Sequence, residues 1–248
     1  MIYFYKKIEI AHISASMANY LNKLRCSSCT FRNQCFFNEL SEKDYELLYA
    51  NKREVDYKAG ETIYKQGTES RYLIFLLSGM AKVYVEGSNQ KNFILELVKP
   101  FQFIDIPSIF ENDLLYRSSA AVVDSRACLV DLQAFKSIIL NDNHYVPKLI
   151  KHFNKVQSRY SDRLTNVIYK NMEARIADAL LYLVNEIYFS RAFTLTISRS
   201  DLAELAGMSR ESTSRIITQF RDQEILKISG KNVEILDKKQ LEHIARFG

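Results

Sequence analysis

"SRSDLAELAGMSRESTSRIITQF" runs from Ser198 to Phe220 and carries the reading of the whole chain. Ser198 precedes an apolar-periodic run and Asp201 follows three residues later, a capping-box-like pair at a helix start. Leu202, Leu205 and Ala206 then fall on one helical face. Gly207 ends that face and lets the backbone turn. Ser209 caps the next helix, whose inner face is Thr213, Ile216, Ile217 and Phe220. Just beyond, "LKISGKNVEIL" (Leu226–Leu236) reads as two short strands around a Ser-Gly-Lys-Asn turn. Helix, glycine turn, helix and hairpin spell a winged helix-turn-helix.

In that motif the second helix enters the DNA major groove by its N-terminal residues. Here these are Ser209, Arg210, Glu211, Ser212, Ser214 and Arg215. Arginine is bidentate to guanine, glutamate accepts from cytosine N4, and serine serves either role. Arg199, Lys227 and Lys231 stand where the flanking helix and wing meet phosphates. Residues 171–248 carry 11 basic and 11 acidic side chains, so bulk charge makes no case for a polyanion. The case rests on placement, and a solvated charged helix face in a protein-interaction domain is the alternative.

Working back towards the N-terminus, "MEARIADALLYLVNEIYF" (Met172–Phe189) is a helix. Before it, Val146, Leu149, Ile150, Phe153, Val156, Tyr160, Leu164, Val167 and Ile168 recur at three- and four-residue steps, predicting one long helix over Tyr145–Lys170. Pro147 sits where a first helical turn tolerates it. Such a stripe is either core or a dimer seam, and the seam is expected along Leu149, Ile150, Phe153, Val156, Tyr160, Leu164 and Val167. Earlier still, Gly60, Gly67, Gly79 and Gly87 punctuate short β-branched and aromatic runs: "TIYKQ", "YLIFLLS", "AKVYVE" and "NFILELV". "SSAAVV" and "ACLVDL" supply two more strands, giving a β-roll. The fold class is α+β: an N-terminal arm over residues 1–38, a β-roll over 39–140, a dimerisation helix over 141–171 and the winged helix over 172–248.

The longest apolar runs are far too short to span a bilayer, and the N-terminus does not read as a signal peptide, so a cytoplasmic protein with no membrane partner is expected. No Ser/His/Asp set and no phosphate-binding glycine loop suggests an enzyme. The four histidines show no ligand spacing. The four cysteines do: Cys26, Cys29 and Cys35 lie within ten residues, and Cys128 falls inside a roll strand. A tight cytosolic cysteine cluster is more often metal-binding or redox-active than disulfide-bonded. Buried thiols, a structural zinc and thiol–disulfide sensing all remain open on the spacing alone.

"YKAGETIYKQGTESRYLIFLLSGMAKVYV" resembles the first half of the β-roll in the CRP/FNR superfamily of bacterial transcription regulators, and the long helix and Ser198–Phe220 resemble its central helix and helix-turn-helix. The resemblance covers nearly the whole chain. It implies a homodimer that binds double-stranded DNA at a palindromic site and acts through RNA polymerase. Cys26-x2-Cys29-x5-Cys35 with Cys128 is similar to the 4Fe-4S cluster ligand set of the fumarate–nitrate-reduction branch, which senses oxygen or nitric oxide. Ser214-Arg215 matches that branch and favours a TTGA-containing half-site, although the Arg210-Glu211 pair matches the cyclic-AMP branch. Arg117-Ser118 stands at the superfamily's nucleotide-phosphate pair, but the ribose-binding Gly-Glu pair is missing and Asp105 is the only acid upstream. The alternative is a regulator of the same build that senses a small molecule, haem or thiol redox state without iron–sulfur.

Overall fold

The computed structural model describes residues 35–87, 91–106, 111, 113–141 and 144–248. Cys26, Cys29 and most of the N-terminal arm lie outside the described residues.

Two antiparallel sheets form the roll. One has β7 (Ser125–Asp131) at its centre, between β1 (Lys52–Tyr57) and β3 (Tyr72–Ser78). The other runs β2 (Thr62–Tyr64), β6 (Ser118–Ala121), β4 (Ala81–Glu86), β5 (Asn92–Val98). The foreseen strands are all present, because each pairs alternating apolar residues with glycine or polar turns. Leu76, Ala81, Val83, Val98, Ile104, Ala127 and Leu129 interdigitate between the sheets as one core. A short helix, α1 (Glu42–Ala50), precedes the roll and α2 (Leu132–Asn141) follows it. The Asp131 carboxylate starts α2 by accepting from the backbone N–H groups of Gln133 and Ala134.

The long helix α3 spans Tyr145–Tyr169, close to the sequence expectation. At 1.5 Å per residue it is about 37 Å long, enough to cross the whole roll. After Lys170 the chain turns into α4 (Met172–Tyr182), which Asn171 caps through the Ala174 N–H. A wider π-helical turn, Leu183–Tyr188, extends it to Phe189, whose φ of 52° ends the helix. Then come β8 (Ala192–Thr194), α5 (Arg199–Ala206), α6 (Arg210–Asp222), β9 (Leu226–Ser229), β10 (Asn232–Ile235) and α7 (Lys238–Phe247). The wing is a three-stranded sheet in the order β8-β10-β9. Its third strand and α7 escaped the sequence reading: β8 is three residues long, and α7 begins in a polar run.

Two residues of the expected seam on α3 are covered by the chain itself. Leu149 and Tyr160 are buried against the chain's own roll, and Val167 packs towards the helix-turn-helix. Phe153 and Val156 are half-buried. Only Ile150 and Leu164 of the seven remain exposed, joined by Ile168. One apolar stripe was read where there are two edges. The inner edge packs on the roll, and its breadth comes from adjacent residues such as Leu149 and Ile150 facing different partners.

Gly207 fixes the angle between α3 and the helix-turn-helix. Its φ is +63°, and an added Cβ would lie 3.0 Å from Val167 Cγ2 and 3.3 Å from Phe93 Cε2. Gly207→Ala should therefore cost about 1–2 kcal/mol from the left-handed backbone, plus the repacking of Val167. Thermal unfolding of the variant beside wild type measures this, and an unchanged midpoint would contradict it.

Candidate nucleic-acid interface and sensor core

The helix-turn-helix assembles as its sequence dictates. Ser198 and Asp201 close a reciprocal capping box on α5, with the Asp201 N–H on Ser198 Oγ at 3.0 Å and the Ser198 N–H on Asp201 Oδ2 at 2.9 Å. Ser209 Oγ accepts from the Ser212 N–H at 3.1 Å and starts α6. Thr213, Ile216, Ile217 and Phe220 are all buried, so α6 is pinned by one face. Arg210, Glu211, Ser214 and Arg215 are exposed on the opposite face. Ser209 and Ser212 also bond each other through their hydroxyls, so both serve the helix start. The Glu211 backbone N–H and the Ser209 hydroxyl hold the Glu211 carboxyl below its ordinary range, so it stays an acceptor. Arg199 reaches back to the Gly230 carbonyl at 3.1 Å, tying α5 to the wing turn that exposes Lys231.

This module is not a loosely tethered bead. Met80, Tyr84, Ile94, Leu97 and Ala120 of the roll share one core with Ile176, Leu180, Leu202, Leu205 and Phe220. Lys82 on β4 inserts between two carboxylates of α5, 2.5 Å from Asp201 and 3.3 Å from Glu204. Burial pushes the Asp201 carboxyl up, but bonds from Lys82 and Ser198 outweigh it and hold it below its usual range. Burial leaves the Glu204 carboxyl raised. Tyr182 Oη accepts from the Leu97 N–H at 3.0 Å, and Arg163 of α3 donates to the Leu205 carbonyl at 3.4 Å. None of these links was foreseen, because their partners lie far apart in the sequence.

At the other end of α3, Cys35 and Cys128 pack against one aromatic core. It contains Phe37, Phe75, Phe103, Phe135, Tyr145 and Leu149, with Phe36 and Phe153 at its margin. Cys128 sits on the central strand of its sheet, opposite Glu54 on β1 and Phe75 on β3. Both cysteines are half-buried. Phe36 stacks edge-on to Phe103 and tilts on Tyr145, with ring centroids 5.1 and 5.8 Å apart. The fold thus packs the arm's third cysteine and the roll's cysteine against one apolar cluster. Among the described residues no group of three or more His, Cys, Asp and Glu forms a metal site, and two of the four candidate ligands lie outside them.

The chain thus joins a β-roll, docked on a long helix, to a winged helix-turn-helix. Residues 54–142 match the cyclic nucleotide-binding domain family and residues 174–244 the Crp-like helix-turn-helix domain. Together the two matches span most of the chain, and they support a DNA-binding transcription regulator of the CRP/FNR type. It is 25% identical over 233 residues to the fumarate and nitrate reduction regulatory protein of Vibrio cholerae, covering 90% of each chain. It is 24% identical over 196 residues to the CRP-like cAMP-activated global transcriptional regulator of Mycobacterium tuberculosis, covering 77% of this chain and 88% of that one. The fold matches FixK2 from Bradyrhizobium japonicum with a TM-score of 0.73 at 20% identity, over 79% of this chain and 98% of that one. Regulators of this family bind DNA and act as dimers. Among the described residues no helix is long and apolar enough to cross a membrane.

Lys82→Met should uncouple the two modules. It leaves Asp201 and Glu204 part-buried without their cation, at a cost of about 2 kcal/mol. K82M/D201N/E204Q should recover most of the loss, since removing all partners is milder than orphaning some. Denaturant titration of both variants tests this; equal loss in both would contradict it.

Proposed function

We propose that this regulator senses oxygen or nitric oxide through a 4Fe-4S cluster held by Cys26, Cys29, Cys35 and Cys128. The observation that carries the reading is the common core of Cys35 and Cys128, two residues 93 positions apart in the sequence. Four thiolates suit such a cluster, and the aromatic surroundings limit solvent access. When bound, the cluster would supply the chemistry that reacts with oxidant. What the chain itself supplies is coupling. Phe36, Phe37 and Phe103 share one cluster with Tyr145 and Leu149 of α3, and Cys35 and Cys128 pack on that cluster, so a change at the arm bears on α3. The far end of the same helix holds the helix-turn-helix through Arg163 and Val167.

The exposed edge of α3, with Ile150, Leu164 and Ile168, is the proposed seam with a second copy. Gln157 and Ser161 interrupt it, which keeps the seam weak enough to be regulated. Two copies place two α6 helices about one DNA turn apart, on a palindrome with TTGA-containing half-sites. Arg210, Glu211, Ser214 and Arg215 read base edges; Arg199 and Lys231 meet the backbone. Contact with RNA polymerase and a cytoplasmic location follow from this role. A regulator responding to a small molecule, haem or thiol oxidation is the competing reading.

Arg215→Ala should lose about 2 kcal/mol of specific binding, roughly thirtyfold, with iron content unchanged. Lys231→Ala should weaken specific and nonspecific DNA alike and reduce the salt slope by about one. Footprinting over a salt series separates these effects. Cys128→Ala, reconstituted without oxygen, should lose the visible absorbance and the iron and sulfide of wild type. Equal iron and sulfide in both proteins would refute the ligand assignment.

A further inference from the structure

Between the roll and the middle of α3 lies a buried polar cluster that the sensing scheme above does not use. Arg117 donates through Nε to Asp105 Oδ2 and through Nη2 to Asp105 Oδ1, both at 2.8 Å. The Asp105 side chain is 2% exposed. Its backbone is left-handed, with φ of 55°, a cost that a non-glycine residue bears only where its surroundings demand it. Oδ1 also accepts from the Ile106 N–H at 2.9 Å. The guanidinium lies over the Tyr160 ring of α3, 5.1 Å from its centroid. One residue earlier on α3, Arg159 meets the buried Glu96 of β5 at 3.1 Å. The neighbouring Ser118 hydroxyl is likewise committed. It donates to Glu86 at 2.6 Å and accepts from the Gln66 N–H at 2.8 Å.

A part-buried guanidinium calls for an anion, and carboxylate and phosphate both fit its fork. In this chain the anion is covalently part of the protein. We propose that Asp105 is a built-in ligand of the roll: it occupies Arg117, closes the roll to anionic nucleotides and fastens it to α3 without any bound molecule. An incoming phosphate would have to displace a pre-positioned bidentate carboxylate and leave that carboxylate buried without its partner, which is strongly unfavourable. This sets the chain apart from the nucleotide chemistry that its roll family's description names, and it holds whatever group the cysteines carry. The roll–α3 joint is then permanent, and nucleotide levels cannot switch it.

The test is thermal unfolding in sulfate or inorganic phosphate against chloride of equal ionic strength, with Asp105→Asn. Asparagine tolerates the left-handed backbone and nearly keeps the volume, but removes the charge and one of the two acceptors facing Arg117. Wild type and D105N/R117Q should show only the general stabilisation that sulfate and phosphate give a folded chain. D105N should melt lower and show a larger anion response that regains its loss. An anion response in D105N no larger than in wild type overturns the assignment. Calorimetric titration of the wild-type chain with cyclic AMP needs no variant: no binding is expected, and micromolar binding overturns it.

Discussion

Everything else in the molecule depends on how α3 lies across the roll. One 25-residue helix contributes to three separate clusters. Tyr145 and Leu149 enter the aromatic core that Cys35 and Cys128 line. Arg159 and Tyr160 enter the buried polar cluster of Glu96, Asp105 and Arg117. Arg163 and Val167 reach the helix-turn-helix. A helix is stiff along its axis, so these three contacts are not independent. A shift of its first turns has to be accommodated at its last.

The three joints differ in character, and the difference suits a regulator. The first is apolar and holds the arm's cysteine, so what happens at the arm bears on it directly. The middle one is ionic and internal: Asp105 and Arg117 pair bidentately, while Glu96 Oε2, Arg159 Nε and Tyr160 Oη have no hydrogen-bond partner among the described residues. The third mixes an apolar core with the Lys82 ion pairs and sets where the recognition helix points. Breaking a buried ion pair costs about 3–5 kcal/mol, comparable to a large fraction of a domain's net stability.

Much of this was legible in the sequence, for a physical reason. The helix-turn-helix is built from local contacts: a cap three residues from its partner, a glycine at a turn, apolar residues at helical spacing. The roll strands were legible because two-residue alternation and glycine punctuation are also local. The α3 stripe misled because periodicity reports which residues are apolar, not what covers them. Leu149 and Ile150 look alike in sequence yet face the roll and the solvent respectively. Lys82 and Asp201 are 119 residues apart, and nothing about either announces the other. Asp105 was noted only as an acid in the wrong place for a ribose; its pairing with Arg117 depends on a backbone conformation that sequence does not signal. The cysteine spacing pointed towards Cys128, but only the fold brings Cys35 and Cys128 to one core.

The central claim is that the arm's cysteines and the DNA-reading helix communicate through α3. It is tested most directly by the affinity of the full-length protein for a palindromic TTGA-containing duplex, measured by fluorescence anisotropy before and after anaerobically reconstituted protein is exposed to air. The account predicts a loss of at least about tenfold, or 1.4 kcal/mol, with the secondary structure unchanged by circular dichroism. Equal affinity in the two states, with the cluster shown to be lost, would contradict it.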